Sequence, residues 1–237
     1  MKPNLSIIIP CLNEEKNILR LLKSINAQKF KCEIIVADAG STDRTIKIAK
    51  SFGAKVIKGG LPARGRNNGA KAAKSDLLLF LDADVLLKKG FLDYCYNEIQ
   101  KRSLDAATCY ACPLSKNISD ILSYRAANVW IFLFKKIKPY AHGFCIFARK
   151  KMHNKIKGFD ESLKFGEDSD YVIKANRIGK FDVLKRYIYV SVRRFVKEGR
   201  LKSNLRYFYF NLYRLFIGEI RRDVGYKFGH YGSKQPA

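Results

Sequence analysis

Apolar and polar positions follow two rhythms in the first half of the chain. Residues 5–9 (Leu5-Ser6-Ile7-Ile8-Ile9) form a short apolar run ended by Pro10. A run of this length bounded by a breaker reads as a buried strand. Asn13-Glu14-Glu15 then opens a helix, its acids matching the positive end of the helix dipole. Ile18, Leu21, Leu22 and Ile25 recur at i, i+3, i+4 and i+7, which gives that helix one apolar face. A second strand is predicted over 33–37, followed by a helix capped by Ser41 or Thr42, running to Phe52 and stopped by Gly53. Val56 and Ile57 mark a third strand, residues 66–74 a helix, and the five apolar residues 77–81 a fourth strand.

Apolar strands separated by amphipathic helices predict an α/β fold: a Rossmann-like, mostly parallel sheet with helices on both faces. Such sheets bind ligands at the carboxyl ends of their strands. The polar clusters Asn13-Glu14-Glu15, residues 38–43 and Asp82 with Asp84 all fall there. The second half is less regular, with strands predicted over 105–112, 143–148 and 182–192 and helices over 118–136 and 167–179. The helix over 167–179 turns Tyr171, Val172, Ala175 and Ile178 inward. From Glu198 a long amphipathic helix carries Leu205, Phe208, Leu212, Leu215, Phe216 and Ile220. The chain thus divides into a domain over 1–197 and a basic, aromatic helical tail over 198–237.

Composition narrows the picture. Of 237 residues 47% are hydrophobic, which excludes global disorder. Lys and Arg total 46 against 21 acids, a formal charge of +25 that implies an anionic partner: nucleic acid, an acidic membrane or phosphorylated substrates. The six cysteines are scattered, and Cys109-x-x-Cys112 lacks a second pair, so it reads as strand residues rather than a zinc site. Nothing in them demands an oxidising compartment. Only Met1-Lys2-Pro3-Asn4 precedes the first strand, without signal-peptide character, and no run reaches the ~20 apolar residues of a spanning helix. A cytoplasmic location is expected. The tail, too polar and short to span, suits a helix lying in an anionic membrane interface at the inner face of the cell membrane; packing on the domain or dimerisation are the alternatives.

Asp82-Ala83-Asp84 carries the most chemistry. Strand alternation would place both carboxylates on one side, with Ala83 turned away. Two hard oxygen ligands suit Mg²⁺ or Mn²⁺, which neutralises a diphosphate; plain strand-end acids are the alternative. Asp38 is placed to accept hydrogen bonds from a base imide or a ribose hydroxyl, or to cap a helix. Arg64-Gly65-Arg66 reads as an anion cradle at a helix N-terminus, or as a solvated basic face. In Gly166-Glu167-Asp168-Ser169-Asp170 the acids either satisfy a helix dipole or supply a general base whose pKa is raised by crowding. Arg193 and Arg194, at the end of the last strand, either close over a diphosphate or are ordinary surface charge.

Taken in order, Ile7-Ile8-Ile9-Pro10-Cys11-Leu12-Asn13-Glu14-Glu15, Asp38-Ala39-Gly40-Ser41-Thr42-Asp43, Arg66-Asn67-x-Gly69-Ala70, Phe80-Leu81-Asp82-Ala83-Asp84 and Gly166-Glu167-Asp168 resemble the motifs of family-2 glycosyltransferases with the GT-A fold. The resemblance spans roughly residues 5–195. It implies a nucleoside-diphosphate sugar donor, a divalent metal and inversion at the anomeric carbon. It also implies roles. Pro10, Asn13 and Glu15 line the nucleotide pocket; Asp38 touches the base; Arg66 lies near the base or diphosphate. Asp82 contacts the ribose or sugar and, with Asp84, the metal; Asp168 is the catalytic base, supported by Glu167. Processive members place an Arg-Trp pair, preceded by glutamine, where this chain has Arg194-Phe195 and Ser191. That departure favours transfer of a single sugar. The acceptor is a hydroxyl, on a glycan or lipid-linked molecule, or a lipid phosphate, for which Asp168 only positions the acceptor. His142-Gly143 is placed near it. A sugar-phosphate nucleotidyltransferase would need a Gly-rich basic loop where Cys11-Leu12-Asn13-Glu14-Glu15 stands. A nucleic-acid-binding role rests on charge alone, with no recognised module, and no nucleic acid partner is expected.

Overall fold

The computed structural model describes residues 2–137, 139–141, 143–163, 165–218 and 220, without the side chains of Asn211, Arg214 and Leu215. The expectations for His142, for the Leu215 side chain and for the tail from 221 onward lie outside the described residues.

The chain opens with β1 (Leu5–Cys11), α1 (Glu15–Asn26), β2 (Cys32–Asp38), α2 (Thr45–Ser51), β3 (Lys55–Lys58), α3 (Pro62–Ala72) and β4 (Leu77–Leu81). It continues through β5 (Val85–Leu86), α4 (Phe91–Lys101), β6 (Ala106–Pro113), α5 (Ile118–Phe134), β7 (Cys145–Arg149) and α6 (Lys150–Lys155). Last come α7 (Glu167–Ile178), β8 (Phe181–Val190), α8 (Arg193–Glu198) and α9 (Arg200–Phe216). The described strands form one eight-stranded sheet in the order β3-β2-β1-β4-β7-β6-β8-β5. The first four are parallel, as the strand–helix alternation predicts. β7 then runs antiparallel to both β4 and β6, β6 and β8 are parallel, and two-residue β5 lies antiparallel on β8. The sheet is therefore mixed.

Its two faces carry two cores, sorted by strand alternation. Ile7, Ile9, Leu79 and Leu81 pack with α1 and α4 on one side. Ile8, Leu78 and Phe80 pack with α3 and α7 on the other. α3 sits unusually close to β1. A Cβ at Gly69 would lie 2.2 Å from Ile8 Cγ2, and one at Gly65 3.1 Å from Pro10 Cβ. Two glycines one turn apart thus let the helix press onto the strand and carry Arg66 beneath the tip of β4.

The structure corrects several boundaries. α2 begins at Thr45, not at Ser41 or Thr42, because Asp43 Oδ1 accepts from the Thr45 N–H while Ser41 and Thr42 bind the β1–α1 loop. α3 begins at Pro62, whose missing N–H is no loss in a first turn, so Arg64-Gly65-Arg66 lies inside the helix rather than at its N-terminus. β8 stops at Val190, and Arg193 opens α8 instead of ending a strand. Ile178 is 45% exposed rather than inward-facing. β5, α4, α6 and α8 were not expected. α4 buries Phe91, Leu92, Cys95 and Ile99 at helical spacing, a signal present in the sequence but interrupted by polar neighbours.

Candidate active site

Where β4 ends at Leu81, Asp82-Ala83-Asp84 forms a turn into β5 rather than continuing the strand. The acids come together through that turn, not through strand alternation. Both line a cavity of about 590 Å³ bounded by the sheet end, α5, the start of α7, α8 and α9. That volume lies within the range of small-molecule sites.

Arg66 organises one wall. It is 2% exposed, and its guanidinium donates Nη1 to Glu167 Oε1 at 2.8 Å and Nη2 to Asp82 Oδ1 at 2.8 Å. Nη2 also donates to the Gly143 carbonyl at 3.2 Å, and the group lies 5.3 Å from the Phe159 ring centre. Burial opposes its charge, but Asp82, Glu167 and Asp168 outweigh burial and push its pKa up. Arg66 thus ties the tip of β4 to the first turn of α7, 101 positions away in sequence. Beside it, Asp168 Oδ2 accepts from the Gly143 N–H at 2.7 Å and Oδ1 from the Ser169 N–H at 2.7 Å. Two backbone donors hold that carboxylate in one orientation.

Arg193 organises the opposite wall. It forms a bidentate pair with Glu14, with Nη1 2.8 Å from Glu14 Oε2 and Nη2 on Oε1, and it donates Nε to Asp84 Oδ2 at 3.1 Å. Burial pushes Asp84 up to about 6; Arg193 pulls against that, while Asp82 and Glu14 add to it. Arg194 also faces the cavity and donates Nη1 to the Tyr207 hydroxyl at 2.8 Å.

The cavity therefore gathers Pro10, Arg66, Asp82, Asp84, Arg193 and Arg194 together with Glu167 and Asp168. Asn13, Glu15 and Asp38 do not line it. Asn13, at φ 54°, accepts the Thr42 N–H at 2.8 Å, and its own N–H donates to Ser41 Oγ at 2.9 Å. Glu15 Oε2 accepts from Arg44 Nε at 3.1 Å. Asp38 accepts the N–H groups of Gly40 and Ser41, both at 2.9 Å. Together they stitch the β1–α1 loop to the β2–α2 loop beside the cavity.

A model of the family described as Glycosyl transferase family 2 matches residues 6–188. The chain belongs to glycosyl transferase family 2. It is 31% identical over 191 residues to the 4,4'-diaponeurosporenoate glycosyltransferase of Staphylococcus haemolyticus (strain JCSC1435), covering 72% of this chain and 46% of that protein. The chain thus spans less than half the length of that curated relative. Among solved structures, S. aureus TarS 1–349 in complex with UDP-GlcNAc superposes with a TM-score of 0.65 at 25% identity, over 81% of this chain and 58% of that one. The mannosyltransferase PcManGT from Pyrobaculum calidifontis, in complex with GDP-Man and Mn²⁺, superposes with a TM-score of 0.65 at 19% identity, over 80% and 57%, a likeness of fold alone. The family-2, GT-A-type reading of the motifs holds.

Among the described residues no group of three or more His, Cys, Asp or Glu is placed to hold a metal unaided. Asp82 and Asp84 nonetheless fit a cation whose remaining ligands are phosphates, since Mg²⁺ commonly takes one or two carboxylates plus substrate oxygens. Burial is the main cause of the raised pKa of Asp84, and a cation beside the carboxylate would offset it.

Sequence reasoning gave no site role to Glu14 or Tyr207 and placed Gly143 near the acceptor only together with His142. Glu14 sits between two residues that were singled out, and only its 8% exposure and its pairing with Arg193 reveal it. Gly143 acts through its backbone and through its missing Cβ, which would stand 2.7 Å from Arg66 Nη2. Composition carries no trace of either.

Proposed function

We propose that this family-2 glycosyltransferase transfers one sugar, with inversion, from a nucleoside-diphosphate sugar to an acceptor hydroxyl or phosphate, assisted by Mg²⁺ or Mn²⁺. The observation that carries the reading is one cavity in which Asp82 and Asp84, Arg193 and Arg194, and Asp168 face a common space. Structural relatives crystallised with UDP-GlcNAc and with GDP-Man and Mn²⁺ support the donor class and the cation.

Asp84 and Asp82 would hold the cation, which supplies positive charge to the departing diphosphate. Arg193 offers a bidentate fork, now shared by Glu14 and Asp84, that a diphosphate accepts equally well. Arg66 keeps Asp82 and Glu167 in fixed positions. Asp168, oriented by the Gly143 and Ser169 N–H groups, takes the proton of an attacking hydroxyl. Where the acceptor is a phosphate, Asp168 positions it instead. A single displacement inverts the anomeric centre, and Glu167, engaged by Arg66, supports Asp168 rather than attacking. Ser191 and Phe195, both at the cavity, favour release after one transfer.

Asn13, Glu15 and Asp38 shape the nucleotide side through the paired loops, Asp38 toward the base. Exposed apolar side chains on α5 and α9 support peripheral contact with an anionic bilayer; no described helix is long and apolar enough to cross one.

Asp168→Asn separates binding from chemistry. The variant is expected to keep Mn²⁺-dependent nucleotide binding and to lose about 10²–10⁴-fold in transfer to a hydroxyl. Unchanged turnover would remove Asp168 as the base.

A further inference from the structure

The outer half of the cavity changes character. Away from the carboxylates its wall is built from rings that touch one another across three helices and a loop. Tyr124 of α5 lies 6.1 Å from Phe195 of α8, Phe195 5.9 Å from Tyr207 of α9, and Tyr207 6.1 Å from Phe165. Ala127 and Trp130 of α5 continue the lining. The Tyr207 hydroxyl is taken up by Arg194. Ser123, Asn204, the Tyr124 hydroxyl and the Trp130 indole N–H are the other polar groups of this half. A glycan would leave most of its hydroxyls without partners on such a wall, at a desolvation cost for each.

The helices that form the wall also carry apolar stripes on their outer faces. Ile118, Leu122, Val129 and Leu133 of α5 are exposed at spacings of 4, 7 and 4, one side of a helix. Leu201, Leu205, Phe208 and Phe216 of α9 are exposed at spacings of 4, 3 and 8, again one side. Phe208 belongs both to the cavity lining and to this exposed stripe. Exposed Arg125 sits within the α5 stripe, between Leu122 and Val129, and exposed Lys202 lies beside the α9 stripe. Apolar stripes accompanied by cations match a bilayer of anionic headgroups. The lining therefore runs from the carboxylates to a surface suited to lipid.

We propose that the outer half of the cavity, between α5 and α9, is a binding site for the hydrocarbon chain of a lipid acceptor. The acceptor's polar head lies at Asp168 and its tail leaves past Phe208. This rests on the glycosyl-transfer reading for the head group only; the chain site stands on the wall itself.

The test uses cis-parinaric acid, a fluorescent fatty acid, with the full chain and with two variants. Ala127→Trp fills the wall from α5, and Phe208→Glu places a charge at the mouth on an exposed position. Saturable binding to the wild type is expected, weakened about tenfold or more by each variant. Mn²⁺-dependent UDP or GDP binding should stay unchanged in both. If one variant fails to fold, the other decides. Absence of saturable parinarate binding, or binding indifferent to the folded variants, would overturn the chain site. So would displacement of the probe by maltoheptaose, which would assign the wall to a glycan. Parinarate binding without any nucleotide binding would leave the chain site in place and remove the donor reading instead.

Discussion

Gly143 joins Arg66 to Asp168 on one wall of the cavity. Its N–H holds Asp168, its carbonyl holds Arg66, and an added Cβ would meet Arg66 Nη2 at 2.7 Å and Asp168 Oδ2 at 3.2 Å. Gly143→Ala should therefore displace both charged groups and lower kcat by about 10²-fold. Thermal unfolding would shift little, because the backbone there lies outside the left-handed region. Activity within a factor of about two would show that the contact yields. His153 tests the core beneath α7. It lies buried against Phe80, Phe159 and Tyr171, with Nδ1 3.1 Å from the Tyr171 hydroxyl. Burial, aided by nearby Lys150, lowers its pKa to about 4. The unfolded chain takes up the proton near the usual 6.5, so the fold is favoured above that value and loses ground as pH falls toward 4. Urea titrations of the wild type against His153→Gln should show an acid-limb difference reaching on the order of 3 kcal/mol between pH 6.5 and 4. Parallel pH profiles would contradict a buried neutral ring. At this scale the sequence was legible where a charged side chain itself lines the cavity. Asp82, Asp84, Arg66 and Asp168 stood out by type and place. Glu14 and Gly143 did not, because their roles depend on partners 179 and 25 positions away.

Among the elements, α3 decides how the site is assembled. Its approach to β1 is set by Gly69, whose added Cβ would fall 2.2 Å from Ile8 Cγ2, a fully buried side chain. Gly69→Ala should destabilise the protein by about 1–3 kcal/mol through overpacking, despite the better helix propensity of alanine. Ile8→Ala in the same chain opens room, so the double variant should lose less than the sum of the singles in urea unfolding. Additive losses would mean that α3 does not rest on Ile8. The parallel half of the fold was readable because each apolar run is continuous and each helix has one apolar face. The antiparallel β7 was readable as a strand but not in direction, since direction is fixed by the length and packing of α5 and its loops. The start of α8 was misread as a strand end. Val190-Ser191-Val192 continues an extended pattern, and the helix begins only at Arg193, where the arginine pairs with Glu14 and Asp84.

At the scale of the whole molecule, a chain of charge +25 turns five of its 21 acids, Glu14, Asp82, Asp84, Glu167 and Asp168, to one cavity. The general excess of cations draws phosphorylated ligands and anionic surfaces without selecting among them. The acids at the tip of β4 would repel a diphosphate unless a cation lies between them. Donor binding in the proposed reaction therefore depends on Asp84 and Asp82 sharing a divalent ion with the donor. Isothermal titration of UDP- and GDP-sugars with and without Mn²⁺, on the wild type and on Asp84→Ala, tests this most directly. Binding of at least one donor should require Mn²⁺, vanish with EDTA and weaken about tenfold or more in Asp84→Ala. No binding of any donor, or binding unaffected by EDTA and by the substitution, would contradict the account.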